Sequence, residues 1–140
     1  MTKRNLFRIL AATALIAIIG FAVESWIQKR AEQKREAEYK AVLREYSAAL
    51  KVGSQRDHVE SFIRSKGQSF QRTCCLLSPD QNAWEDLVKI GSERTPWYCS
   101  ESNIYLDFEF YAPPHPGMPQ AEPSDSLRTI ALTPWLEGCL

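Results

Sequence analysis

No cysteine precedes Cys74 in this 140-residue chain, which excludes a lipid-modified N-terminal cysteine. No C-x-x-C is present either, so neither a thioredoxin-type redox motif nor a zinc knuckle is written here. Neither sign of charge is in excess. The 17 Lys and Arg balance 17 Asp and Glu, whereas a nucleic-acid binder usually carries a basic surplus. The phosphate-loop pattern G-x-x-x-x-G-K-S/T is missing, which leaves no signal for a nucleotide. So is G-x-S-x-G, and Ser54 in Val-Gly-Ser-Gln-Arg is therefore no nucleophile elbow. The two histidines lack a partner nucleophile or carboxylate in any motif. His58 stands beside Asp57 in the first turn of a predicted helix and His115 in a proline-rich loop, and both read as structural or incidental. No catalytic residue, cofactor or metal site is written in this sequence.

What is present begins with a basic start, Lys3, Arg4 and Arg8, followed by uncharged, mostly apolar residues from Ile9 to Val23. Counted from Leu6, with Arg8 snorkelling at its edge, the apolar stretch is eighteen residues long. At ~1.5 Å per residue it reaches roughly 27 Å, enough to cross a hydrocarbon core. Trp26 and Ile27 then fall where interfacial side chains belong. The positive charges hold the N-terminus in the cytoplasm and place the rest of the chain outside. The rival reading is a cleaved signal peptide, since Gly20-Phe21-Ala22 has small residues at both positions a signal peptidase reads.

The following stretch, residues 24–50, holds no Gly or Pro and is rich in strong helix formers. It is polar nearly all round as far as residue 38, with Glu36 and Lys40 in the favourable i,i+4 order. From Tyr39 an apolar stripe appears: Tyr39, Val42, Leu43, Tyr46 and Leu50. This predicts a charged stalk helix that docks its last turns on a domain. Gly53 suits the left-handed residue that closes the helix. Ser54 suits the N-cap of the next one, with Asp57 completing a capping box. Val59, Phe62 and Ile63 form a buried face at helical spacing, and Gly67 closes that helix in turn.

The same stretch carries a family resemblance. Val52, Gly53, Ser54, Val59, Phe62 and Ile63, after a helix and before strands, resemble the small outer-membrane assembly lipoproteins of the SmpA type. The pattern is also similar to a repeat of β-lactamase-inhibitory proteins. The resemblance covers about a tenth of the chain, and the chain departs from the lipoproteins in lacking their lipid-attachment cysteine. It implies two helices on a short antiparallel sheet and a role in protein–protein contact rather than catalysis.

The remainder predicts sheet. Phe70 to Leu77 reads as one strand and Leu127 to Thr133 as another. Between them Ile104, Leu106, Phe108 and Phe110 alternate with Tyr105, Asp107, Glu109 and Tyr111, a strand with one buried and one wet face. Asp107 and Glu109 share the wet face, as ordinary strand patterning places acids. Residues 112–126 hold five of the eight prolines and form a loop. Residues 78–91 predict a short helix, with Ser78 as N-cap, Pro79 at the first position and Gly91 at the end.

Cys74, Cys75, Cys99 and Cys139 read as disulfide formers outside the cytoplasm. Adjacent Cys74 and Cys75 point to opposite sides of a strand. An antiparallel hairpin closed by the proline loop brings Cys99 and Cys139 to one end, within two residues of the same register, and predicts their bond. Extending that ladder past Pro134 is its weakest step, because proline donates no ladder bond. Trp97, Tyr98 and Trp135 sit near strand ends and are the candidate interface residues, although a small domain also needs large side chains for its core.

The expectation is an α+β fold: a transmembrane signal-anchor helix and stalk helix, then two helices packed on a small antiparallel sheet of three or four strands. The predicted boundaries are a cytoplasmic N-terminus at 1–5, the anchor at 6–27, the stalk at 28–50 and an extracytoplasmic, periplasmic-type domain at 51–140. The expected role is that of a non-catalytic interaction or structural module whose partners are the membrane and a protein of the cell envelope, with no nucleic acid. The alternative is a thiol-dependent or hydrolytic envelope enzyme.

Overall fold

The structure, a computed structural model, describes residues 3–74, 83–111 and 120–140; within the first helix, side chains are described at residue 13 and from residue 15 onward. Helix α1 (Lys3–Ala49) and helix α2 (Arg56–Ser65) precede strands β1 (Gln71–Cys74), β2 (Ala83–Ser92), β3 (Glu101–Tyr111) and β4 (Ser126–Glu137). The strands form one antiparallel sheet in the order β1-β2-β3-β4, so the fold is α+β with two helices on a four-stranded meander.

The chain divides into two compact units, Met1–Glu38 and Tyr39–Leu140. In the first, α1 carries Leu15, Ile16, Ile18, Ile19, Phe21, Val23, Trp26 and Ile27 on its surface. Arg30 stacks over the Trp26 ring at 3.9 Å. The predicted anchor, 6–27, reaches into residues whose side chains lie outside those described. Among the described residues no helix is long and apolar enough to cross a membrane.

In the second unit the apolar stripe of α1 meets the sheet. Tyr46 and Leu50 join Val59 and Ile63 of α2, Val88, Leu106, Phe108, Phe110 and Leu127 in one core, with Val42, Leu43 and Phe62 packed against it. Each fully buried Val, Ile, Leu or Phe contributes roughly 1.5–3 kcal/mol by leaving water. Tyr46 stands edge-on to Phe62 and Phe108, and its hydroxyl donates to Gln68 Oε1 at 2.9 Å. Burial, then the charge of Glu45, raises the Tyr46 pKa.

Four expectations change. Residues 83–92 are strand, not helix; 78–82 lie outside the described residues. β2 is an inner strand buried on both faces, so it lacks the alternation that marks a half-buried strand, and its Trp84-Leu87-Val88 spacing mimics a helix. Gly91 ends no helix. It lies at an irregularity of β2, where an added Cβ would meet the Tyr39 ring at 2.5 Å. Ser54 is not the N-cap: Gln55 is, and no side chain caps α2. The first-turn N–H groups are instead satisfied by a neighbouring segment, Arg56 N donating to Asp125 O at 2.9 Å and Asp57 N to Pro123 O at 3.1 Å. The strand predicted from Phe70 starts at Gln71 and is described only to Cys74, while β4 runs on through Pro134 to Glu137. Proline is tolerated there because β4 is an edge strand. Gly53 and Gly67 do adopt positive φ, 89° and 72°, as the helix-closing positions require.

Between Glu109 and Phe110 the pairing slips by one, leaving Arg128 extra on β4. The irregularity lets Leu127 and Ile130, an odd spacing apart, both pack on the helix side.

Candidate functional site

Register fixes what the sheet presents on each face. Trp84, Asp86 and Val88 share the helix side with Phe110, Phe108 and Leu106. The second face carries Gln71 and Thr73 from β1, Glu85 and Leu87 from β2, Tyr105, Asp107 and Glu109 from β3, and Thr133, Trp135 and Glu137 from β4.

On this second face Gln71, Thr73, Leu87, Tyr105, Trp135 and Glu137 line a cleft of about 220 Å³. At one end Tyr105 Oη donates to Glu137 Oε1 at 2.9 Å, and Asn103 Nδ2 donates to the same oxygen at 3.1 Å. Asn103 Nδ2 also reaches Glu101 Oε2 at 2.9 Å, and Lys89 pairs with Glu101 at 3.5 Å. Burial, then the bond to Glu137, raises the Tyr105 pKa. The Asn103 bond and the Lys89 charge lower that of Glu101.

Asp107 is the correction to the expected wet face. It is only 6 % exposed, and Tyr105 beside it is buried as well. β3 lies between β2 and β4, so neighbouring side chains cover it on both faces. Burial, reinforced by Glu85, Glu109 and Asp86, pushes the Asp107 carboxyl to about 7 against a hydrogen bond from Thr133. Its Oδ1 is buried without a hydrogen-bond partner. Glu109 is balanced by Arg128 at 3.1 Å.

A second polar cluster lies between α2 and the sheet. Arg56, 1 % exposed, grips Asp86 with Nη2 at 2.6 Å from Oδ1 and Nε at 3.2 Å from Oδ2. Its Nη1 reaches Asp125 Oδ2 at 3.1 Å, Glu60 lies 3.5 Å away, and the guanidinium stacks 4.5 Å over the Phe110 ring. Burial raises the Asp86 pKa even against the pull of Arg56. Outside this cluster Glu60 also accepts from Arg64 at 3.0 Å and from Arg72.

The predicted site residues divide in two. Cys99 and Cys139 are joined, with sulfurs 2.05 Å and Cα atoms 3.9 Å apart. Glu101 pairs with Glu137, so the two cysteines stand two residues further out on the same rungs. The bond pins a turn in which Cys99 N donates to Pro96 O at 3.0 Å, while Leu140 N donates to Tyr98 O at 2.8 Å. Trp97 at its tip is 91 % exposed and Tyr98 is exposed beside it, their rings edge-on at 5.8 Å. Trp135, the third predicted interface residue, is apart from them in the cleft wall.

His58 is exposed, its backbone N–H donating to Asp57 Oδ1 at 2.6 Å. His115 and Cys75 lie outside the described residues. Cys74 is disulfide-bonded, and no cysteine among the described residues is a free thiol. Among the described residues no group of three or more His, Cys, Asp or Glu is placed to hold a metal ion.

Arg56, Glu137 and the Tyr105–Asn103 pair escape a reading of the sequence. For Glu137 a signal exists: Thr129, Ala131, Thr133, Trp135 and Glu137 share one parity, which continues once Pro134 is allowed inside the strand. For Arg56 there is none, since a helix N-terminal arginine is ordinarily solvated. No family model, curated protein or solved structure matches this chain.

Proposed function

We propose that the chain is a membrane-anchored, extracytoplasmic module that works by holding a protein of the cell envelope, not by catalysis. The observation that carries the binding half is the Trp97–Tyr98 turn. A tryptophan 91 % exposed on a turn tied by a disulfide is a rigid aromatic anchor with no pocket of its own to fill. The anchor half is supported by the basic start and by the apolar side chains from Leu15 to Ile27, all exposed on α1; such a surface needs lipid or a partner to cover it. The resemblance to SmpA-type lipoproteins and β-lactamase-inhibitory proteins supports the same reading, because those folds act through contact.

Two experiments test the halves. A photo-crosslinking amino acid at position 97, in cells, captures one discrete partner, whereas the same probe at exposed Val52 does not; equal labelling at both positions rejects the aromatic turn as the contact. A carbonate wash leaves the full-length chain, still beginning at Met1 or Thr2, in the membrane. A soluble form starting at Val23 rejects the anchor in favour of cleavage near Ala22.

Hydrolytic chemistry, the second reading, draws on Asp107, a carboxyl held near 7 within a rung of the cleft, as a general acid would be. Esterase or glycosidase turnover abolished by Asp107→Asn supports it. Turnover that is absent, or that survives the substitution, removes it.

A further inference from the structure

The cleft on the second face has a composition suited to one chemical class of guest. Tyr105 and Trp135 provide aromatic rings, Leu87 an apolar floor, Gln71 and Thr73 neutral polar groups, and Glu137 a carboxylate. Aromatic faces and a carboxylate together attract an organic cation, and an apolar floor accepts the methylene stem behind it. At about 220 Å³ the cleft falls below the several hundred Å³ typical of cofactor pockets and matches a single side chain instead. We propose that this cleft binds the guanidinium or ammonium group of an arginine or lysine presented by a partner protein. The proposal rests on the reading of the chain as an interaction module and names the chemistry of what it holds.

Three observations carry it. First, Glu137 is held in place without being neutralised. Its two hydrogen bonds come from Tyr105 and Asn103, neither of them charged, and both fall on Oε1. No cation among the described residues pairs with it. Glu101 and Glu109, by contrast, have Lys89 and Arg128. A carboxylate positioned by neutral donors has no cationic partner to give up and loses little freedom when the ligand arrives. Second, Asp107 lies next along this face, paired across strands with Leu87 of the cleft floor and two residues from Tyr105. It is nine-tenths buried, its Oδ1 has no hydrogen-bond partner and no cation pairs with it among the described residues. Glu101 and Glu109 lie along the same face and take Lys89 and Arg128, so neither Asp107 nor Glu137 has a cation of its own among the described residues. Third, the cleft runs across the sheet from one edge strand, β1, to the other, β4, so a partner segment can reach Trp135 and Glu137 from the β4 edge.

The cation wins over a neutral guest for an electrostatic reason. Bringing a positive group to Glu137 relieves the mutual repulsion of the acids on this face as well as forming a charge-assisted bond. Arginine adds a planar group that stacks on an indole ring, which gives it an advantage over lysine here.

The test uses the full-length chain in detergent micelles and the peptide acetyl-Ala-Arg-Ala-Arg-Ala-amide, with its citrulline counterpart of the same shape and no charge. Binding is followed by NMR of the Trp135 indole and Tyr105 signals. The arginine peptide is expected to move both saturably, and the citrulline peptide to move neither. Glu137→Gln should weaken binding at least about tenfold, and Trp135→Leu by a similar factor. Gln at position 137 still accepts from Tyr105 and Asn103, so the fold persists and a loss is one of charge. Val52→Ser, on an exposed loop, should leave binding unchanged. Equal binding of the citrulline peptide, unaltered affinity in Glu137→Gln, or no saturable shift with either peptide overturns the proposal. Arginine amide alone binding as tightly as the peptide overturns the partner-protein occupant in favour of a free small cation. Arginine-peptide binding without crosslinking at position 97 rejects the aromatic-turn reading and leaves the cleft standing; crosslinking without arginine-peptide binding does the reverse.

Discussion

Arg56 on α2 meets Asp86 on β2 side-on, through two hydrogen bonds of 2.6 and 3.2 Å, with both side chains buried. The guanidinium also takes Asp125, so three separate segments of the domain meet at one cation. Such a pair contributes little net stability over a well-packed apolar pair, but breaking it leaves buried carboxylates without a counter-charge.

Arg56→Met should therefore destabilise the domain by roughly 3–5 kcal/mol. Urea denaturation will show it as a lower midpoint with the slope kept. Adding Asp86→Leu to Arg56→Met should restore part of the loss, because one stranded carboxylate is gone. A double variant no better than the single one would show that the pair is not what Arg56 chiefly supports.

Asp107 sets a pH dependence of defined sign. Its folded-state pKa, about 7, lies above the ordinary 3.8, so folding is favoured while the group is protonated. That contribution is full below about 4 and is lost as pH rises toward and through about 7; its upper limit is on the order of 4 kcal/mol. Asp86 is raised as well and acts in the same direction. Around Asp107 stand Glu85, Glu109 and Asp86, with Thr133 donating. Melting temperatures between pH 4 and 8 should fall less steeply for Asp107→Asn than for the native chain, with the variant the more stable at pH 8. Parallel curves would place the titration elsewhere.

Gly91 makes room for Tyr39, whose hydroxyl lies 3.4 Å from the Ser92 carbonyl. Gly91→Ala forces a methyl group to 2.5 Å from the ring and should cost about 1–3 kcal/mol. In a Tyr39→Ala background the same substitution should cost far less. A double-mutant cycle in chemical denaturation reads this coupling directly, and a coupling near zero would mean that the ring swings aside freely.

Removing the Cys99–Cys139 bond opens a loop whose ends are 40 residues apart. The Cys99→Ser/Cys139→Ser variant should lose roughly 3–4 kcal/mol in the chain-entropy description. Hydrogen exchange at Cys99, Ser100 and Leu140 should accelerate more than at Phe108, because the bond holds the frayed end of the β3–β4 pair. Uniform acceleration would assign the bond a global rather than a local role.

What the sequence settled by itself is whatever rests on near neighbours. The stripe from Tyr39 to Leu50, the α2 face of Val59 and Ile63, the helix-closing Gly53 and the existence of strand β3 are written in local residue patterns, which local sterics and burial produce. The cysteine partners were legible because an antiparallel pair obeys simple arithmetic once a hairpin is assumed, and Pro134 escaped its penalty by lying on an edge. Tertiary structure alone decided the rest. β2 lost its alternation because it is buried on both faces. α2 found its N-terminal partners in the backbone of Pro123 and Asp125, not in its own Ser54. The cleft joins Gln71, Leu87, Tyr105 and Glu137, residues from four strands that only register brings together. A buried arginine and a carboxyl held near 7 are consequences of desolvation, and desolvation depends on which segments close over a side chain, something residue order along one strand does not contain.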